Sequence, residues 1–349
     1  MPMPTFAKKI IAWQTQSGRH DLPWQRTRDP YRIWVSEIML QQTQVSAVIS
    51  YYARFMTRFP DVATLAAAPI DDVMQHWAGL GYYARARNLH KAAALIVTEF
   101  KGVFPRRHEV VWSMPGIGRS TAAAICAFAY GESRAILDGN VKRVFARNFG
   151  IEGDVRSKDI EDAMWDIAER EVPDSDIESY TQGLMDLGAT ICTRGTPRCL
   201  LCPLHKTCVA FNEGRIAALP GKSPKKDTPH RQTRMLVMVS ANEVLVERRP
   251  PTGIWGGLWS LPEVAMDQDV MAIAKSKYLV TTSRGRRPRP LAELEHGFTH
   301  YSLTIYPVEI MIAKRHPHAA EPGVMWLNLD DIASAALPAP VKKILAALE

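Results

Sequence analysis

Four of the five cysteines, Cys192, Cys199, Cys202 and Cys208, fall within seventeen residues in the pattern C-x6-C-x2-C-x5-C. Four thiolates that close in sequence can enclose one metal centre, either tetrahedral zinc or an iron–sulfur cluster. The unequal gaps lack the two C-x2-C pairs of a zinc ribbon. No export signal accompanies them, which argues against disulfides. The fifth, Cys126, lies in an Ala-rich helical stretch and reads as a small core residue. Two carboxylates invite acid–base chemistry. Glu37 falls at helical spacing from Ile33, Trp34 and Leu40. On that apolar face it is partly desolvated, which raises its pKa and suits a general acid. The alternative is a glutamate at the edge of an ordinary amphipathic helix. Asp138, in Ile136-Leu137-Asp138-Gly139-Asn140-Val141, reads first as a helix N-cap. It reads second as a carboxylate at the mouth of a cleft.

A third cluster concerns phosphate. In Ser113-Met-Pro-Gly-Ile-Gly-Arg-Ser-Thr121, Pro115 ends one helix, Gly116 and Gly118 allow a tight turn, and Ser120 or Thr121 opens the next helix. Free backbone N–H groups at such a helix start bind phosphate without reading sequence. A plain helical hairpin is the competing reading. Gln41, Gln42 and Gln44 add amides able to hydrogen-bond opened bases.

These groups must be carried by two kinds of structure. Residues 5–215 read as helical almost throughout, so this half is all-α. Asp29-Pro30 gives an N-cap with proline at the first helical position, and apolar spacing continues from Tyr31 to Ile49. A Pro/Lys-rich stretch predicts a linker over 216–232. Residues 233–349 read as α+β, with strands at Met235–Ser240 and Val244–Glu247, a long β-rich run over Phe298–Ile312 and a final helical stretch over Ile332–Leu348. The formal charge of +7 splits into +9 for residues 1–150, −6 for 151–215 and +4 for 216–349. A basic first segment fits a polyanionic partner. No stretch approaches the ~20 apolar residues of a membrane span, and the N-terminus has no secretory pattern.

Taken in order, Glu37 in SEIMLQQTQV, GLGYYARARNL (79–89), MPGIGRSTAAAI (114–125), LDGNVKRV (137–144), Gln182 in TQGLMDLGATIC and the four cysteines closely resemble the MutY family of adenine DNA glycosylases, within the helix–hairpin–helix glycosylase superfamily. The likeness covers nearly all of residues 20–210. Residues 254–263 and 296–301 resemble the Nudix-like C-terminal domain of the same family.

The resemblance implies a multidomain chain: an all-α helix–hairpin–helix glycosylase domain with a 4Fe–4S cluster on Cys192, Cys199, Cys202 and Cys208, then an α+β Nudix-like domain. It implies a monofunctional enzyme of base excision repair that removes adenine mispaired with 8-oxoguanine or guanine in double-stranded DNA. Glu37 would protonate the departing adenine. Asp138 would stabilise the oxocarbenium-like sugar, and Asn140 would order the site. Gln182 would hydrogen-bond the flipped adenine. Gln42 and Tyr82 would enter the duplex, while Gly116, Gly118 and Ser120 would meet its backbone. Phe298, Thr299 and His300 would read the oxidised base. Thr299 stands where the family often has serine. Related strand-cleaving glycosylases carry a lysine at the position of Ser120, and serine forms no Schiff base. The Glu-rich Nudix catalytic helix is missing from Leu261–Lys275, so recognition rather than hydrolysis is expected there. A cytoplasmic, nucleoid-associated monomer is expected. The competing readings are an endonuclease III-like glycosylase/lyase, a non-catalytic DNA-binding protein with a structural metal centre, and a Nudix hydrolase.

Overall fold

The computed structural model describes residues 3–221, 229–298, 301–315 and 323–348. The described helices are, in order, α1 (Thr5–Ser17), α2 (Pro30–Leu40), α3 (Val45–Arg58), α4 (Val62–Ala67), α5 (Ile70–Trp77), α6 (Ala84–Phe100), α7 (His108–Trp112), α8 (Arg119–Tyr130), α9 (Gly139–Phe149), α10 (Lys158–Glu171), α11 (Ile177–Asp186), α12 (Val209–Asn212), α13 (Val270–Lys277) and α14 (Ala339–Leu345). They divide between two compact units. One is Met1–Ala68 with Asn88–Lys225, and the other is Pro69–Arg87 with Lys226–Glu349. None of the described helices is long and apolar enough to cross a membrane.

The first unit is helical, and its end signals act as the sequence suggests. The Asp29 carboxylate accepts from the Tyr31 N–H at 2.9 Å, and Pro30 opens α2. The apolar spacing from Tyr31 to Ile49 nevertheless does not form one helix. The chain breaks after Leu40, and Gln42 adopts φ +56° in a turn before α3. Periodicity alone cannot see a break whose flanking turns stay in phase. The core gathers Phe6 and Ile10 of α1, Ala123 and Ala124 of α8, Val144 and Phe145 of α9, Met164 of α10, and Tyr180 and Leu184 of α11. α1 meets α11 closely because Gly183 has no side chain. A Cβ there would lie 2.7 Å from Ile10 Cγ2.

In the second unit, strands β1 (His230–Ser240), β2 (Glu243–Arg248), β3 (Trp259–Ser260), β4 (Glu263–Val264), β5 (Val280–Thr282), β6 (Arg289–Pro290), β7 (Leu294–Gly297), β8 (Ser302–Arg315) and β9 (Val324–Asn328) form one mixed sheet. β1 and β8 run parallel at its centre, from His230 opposite Ser302 to Val239 opposite Met311. One face buries Leu236, Met238, Ile310 and Ile312 under Ala274 and Tyr278. Because β1 begins at His230, the expected linker ends earlier than residue 232. The final helix is only α14, since the Pro338-Ala339-Pro340 stretch fixes its start late in the expected span. α5 belongs to this unit too. Asp71 pairs with Arg248, and the Arg87 guanidinium donates to the Gly256 carbonyl.

Candidate active site

α2 presents Glu37 to a cavity of about 580 Å³ lined also by Trp24, Ile33, Ser36, Phe128 and Gln182. Burial, followed by the nearby Asp138 carboxylate, pushes Glu37 up to about 8. The N-cap reading of Asp138 holds. It N-caps α9, accepting from the N–H groups of Val141 at 2.8 Å and Asn140 at 3.0 Å. It also acts electrostatically on Glu37. Burial raises its own pKa, while those N–H donors and Arg143 oppose the rise. The two carboxylates therefore differ in kind. Glu37 holds its proton to about pH 8, whereas Asp138 accepts two backbone N–H hydrogen bonds that offset part of the cost of its burial.

Arg143, which the sequence reading passed over, ties this centre to the cysteine loop. Its guanidinium donates to Asn140 Oδ1 and to the Gly188 carbonyl, both at 2.7 Å, and its Nε donates to the Cys192 carbonyl at 2.7 Å. The contact demands close approach. A Cβ on Gly188 would lie 2.5 Å from Asn140 Cβ. Gly188 sits in a π-helical turn, Leu187–Ile191, that follows α11 and leads into Cys192. One turn later along α9, Arg147 donates to the Thr193 and Leu219 carbonyls at 2.7 and 2.8 Å, and to Cys192 Sγ at 3.4 Å. Cys192, Cys199, Cys202 and Cys208, none of them in a disulfide, line one small cavity with Arg147, Ile191 and Phe211. Cys126 is fully buried.

The hairpin between α7 and α8 bears out part of its reading. Gly116 adopts φ +79° and its Cβ would meet Asn88 Cβ at 2.8 Å, so glycine is required there. Gly118 is different. It is the extended N-cap of α8 at φ −85°, and a Cβ would meet nothing within 4 Å. The turn itself does not need this glycine. What its bareness leaves open is the approach to the uncapped N–H groups of α8. Ser120 Oγ accepts from the Leu137 N–H at 3.0 Å and so holds the segment entering Asp138.

The chain matches the family model "HhH-GPD superfamily base excision DNA repair protein" over residues 35–170 and the "NUDIX domain" model over 234–347. It is 36% identical over 341 residues to the adenine DNA glycosylase of Buchnera aphidicola subsp. Baizongia pistaciae, covering 97% of this chain and 95% of that protein. With the mouse adenine DNA glycosylase the identity is 32%, covering 97% of this chain and 77% of the relative. The chain belongs to the MutY family of adenine DNA glycosylases. It is a base excision repair enzyme, a hydrolase of N-glycosyl bonds. Among solved structures, a thermostable thymine-DNA glycosylase aligns with TM-score 0.55 at 30% identity, over 60% of this chain and 95% of that one.

The residues singled out from the sequence fall in both units. Glu37, Asp138, Asn140, Gln182, Gln42, Gly116, Gly118, Ser120 and the four cysteines belong to the first unit, and Tyr82 and Phe298 to the second. Tyr82 is half exposed and left-handed at φ +48°, as Gln42 is at +56°. Such a conformation is uncommon for a non-glycine residue. Phe298 stands at the β7–β8 turn among Trp255, His296 and Tyr301, with ring centroids 5.3, 4.6 and 4.7 Å away. The packing reading of Phe298 is thus present in the structure. Thr299 and His300 lie outside the described residues. In the arginine-rich stretch before them, Arg289 donates to Glu309 at 2.7 Å.

Proposed function

We propose that this enzyme excises adenine paired with 8-oxoguanine or guanine in double-stranded DNA, without cutting the strand. The observation that carries the reading is the protonated Glu37 in one cavity with Gln182, close enough to the helix-capping Asp138 carboxylate to feel its charge. Adenine leaves a sugar readily only when a proton neutralises the charge developing on the base. Glu37 gives that proton to the departing ring, and the bond between the sugar carbon and adenine breaks. Asp138 then faces the cationic sugar, held in place by the N–H groups of Asn140 and Val141, until water adds. The extrusion of adenine costs a few kcal/mol. Gln42 and Tyr82, on strained exposed turns, fill the vacated duplex, and the bare N–H groups beyond Gly116 and Gly118 hold a phosphate. Ser120 already accepts a backbone hydrogen bond and offers no amine, so strand cleavage through an imine has no nucleophile there.

The donor set at Cys192, Cys199, Cys202 and Cys208 suits a 4Fe–4S cluster. Four sulfur ligands line one cavity. Such a cluster would fix the loop that Arg143 and Arg147 hold. The aromatic hairpin with Phe298, Thr299 and His300 reads the oxidised base. α13, VMAIAKSK, contains no glutamate and supports recognition rather than pyrophosphate hydrolysis. We assign the enzyme to the cytoplasm, at the nucleoid, as a monomer.

The test is excision from duplexes carrying adenine opposite 8-oxoguanine, by wild type and Glu37→Gln. Wild type should release adenine, Glu37→Gln should not, and borohydride should trap no covalent complex. An inactive wild type with iron bound, or strong trapping, overturns the reading. Visible absorption of the purified protein and its iron content decide the metal.

A further inference from the structure

Asp186 is a fully buried carboxylate in the first unit that the mechanism above does not use. It lies one helical turn beyond Gln182 on α11, so the two side chains share a face. Its oxygens are enclosed by donors. Oδ1 accepts from Arg19 Nε at 2.7 Å and Arg19 Nη2 at 2.6 Å, and Oδ2 accepts from the Arg19 backbone N–H at 2.8 Å. The remaining donor is Gln182 Nε2, 2.8 Å from Oδ1. A carboxylate that receives from an arginine fork has only acceptors to offer. It therefore decides which way round the Gln182 amide stands. The NH2 group must face Asp186, and the carbonyl oxygen is left for the cavity that Gln182 lines with Glu37.

We propose that Asp186 is a positioning residue that locks the Gln182 amide with its oxygen toward the pocket, so that the site takes a 6-amino purine and rejects a 6-oxo purine. The proposal rests on the reading of this cavity as the place of the flipped adenine. Adenine carries an amino group at C6 and donates to that oxygen. Hypoxanthine has nearly the same shape but carries a carbonyl at C6, so it meets the oxygen acceptor to acceptor. A free glutamine would rotate about its last bond and serve either base. A locked one cannot, because rotation would turn its carbonyl onto the Asp186 carboxylate inside the protein. Discrimination then comes from an unpaired buried polar group, the strongest kind a binding site can build.

The experiment compares single-turnover excision of adenine and of hypoxanthine opposite the same partner base. The proteins are wild type, Asp186→Ala, Gln182→Leu and the double variant. Asp186→Ala should reduce the adenine-to-hypoxanthine rate ratio by about tenfold to a hundredfold. In the Gln182→Leu background the same change should leave the ratio where Gln182→Leu put it. A ratio unmoved by Asp186→Ala, or moved equally in both backgrounds, overturns the proposal. Loss of Asp186 also loosens the Arg19 segment, which would slow both substrates alike. Arg19→Lys reports that effect and should leave the ratio intact. Should Asp186→Ala fail to fold, Asp186→Leu, which keeps most of the volume and offers no acceptor, enters the same cycle with the same two outcomes. A wild type that releases no adenine overturns the reading of the pocket instead, so the two failures are distinct.

Discussion

The carboxylate pocket and the aromatic hairpin are built on opposite principles. Around the pocket the charged groups named above are buried or half-buried, and most are tied by hydrogen bonds. Glu37 faces a cavity, Asp138 caps a helix, and Arg143 and Asp186 make charged hydrogen bonds of 2.6–2.8 Å. At the hairpin, Phe298 sits at a strand end with its ring against three other rings. Proton chemistry needs groups whose pKa is set by desolvation and fixed dipoles. Reading a base needs only a shaped apolar surface at an edge. The first arrangement is rigid and fails abruptly when a partner is removed. The second degrades gradually.

The contrast is broken most severely at Glu37. Glu37→Gln should lower adenine excision by about a thousandfold or more, with duplex binding retained, as measured by single-turnover kinetics and gel shift. The pocket should also show in pH dependence. The folded protein keeps the Glu37 proton to about 8, whereas the ordinary value is 4.5. Between those values the folded state binds more protons than the unfolded state, so stability falls as pH rises through that window. Denaturant melts from pH 4.5 to 9 should show this slope, and Glu37→Gln should remove its share of it, a few kcal/mol in size. Excision should fall as pH rises through about 8 for the same reason. An unchanged slope in the variant would contradict the assignment.

Arg143→Gln comes next. It strips donors from Asn140 and from the carbonyls of Gly188 and Cys192. We expect a loss of about 2–4 kcal/mol in stability together with slower excision. Normal excision in a destabilised protein would show that Asn140 needs no such support. Phe298→Ala should be milder. It should cost about 1 kcal/mol from lost ring packing and reduce the preference for 8-oxoguanine over guanine partners severalfold, leaving the rate at adenine–guanine pairs intact. The smallest effect is expected for Asp71→Asn, which opens the surface pair with Arg248 and should change stability by about 0–1 kcal/mol.

Much of this was legible in the residues themselves. Asp29-Pro30 starts a helix where it says it does, because capping and a fixed φ are local effects. The all-α half and the α+β half follow from hydrophobic period, and the four cysteines stand out by spacing alone. Gln42 shows the limit, since nothing in the apolar pattern marks its left-handed turn. Gly118 shows another, because the sequence cannot separate a glycine demanded by the turn from one that leaves a surface bare.

What the sequence by itself determined, then, is the set of reacting groups and the elements that carry them. The tertiary structure alone decided their chemical state. Glu37 keeps its proton because distant segments remove water from around it and bring Asp138 near. Arg143 and Asp186 read as ordinary charged helix residues until folding sets them against Asn140, Cys192, Arg19 and Gln182. Capping and periodicity act over a few residues, whereas desolvation and charge pairing depend on chain segments more than a hundred residues apart, as Arg19 and Asp186 are.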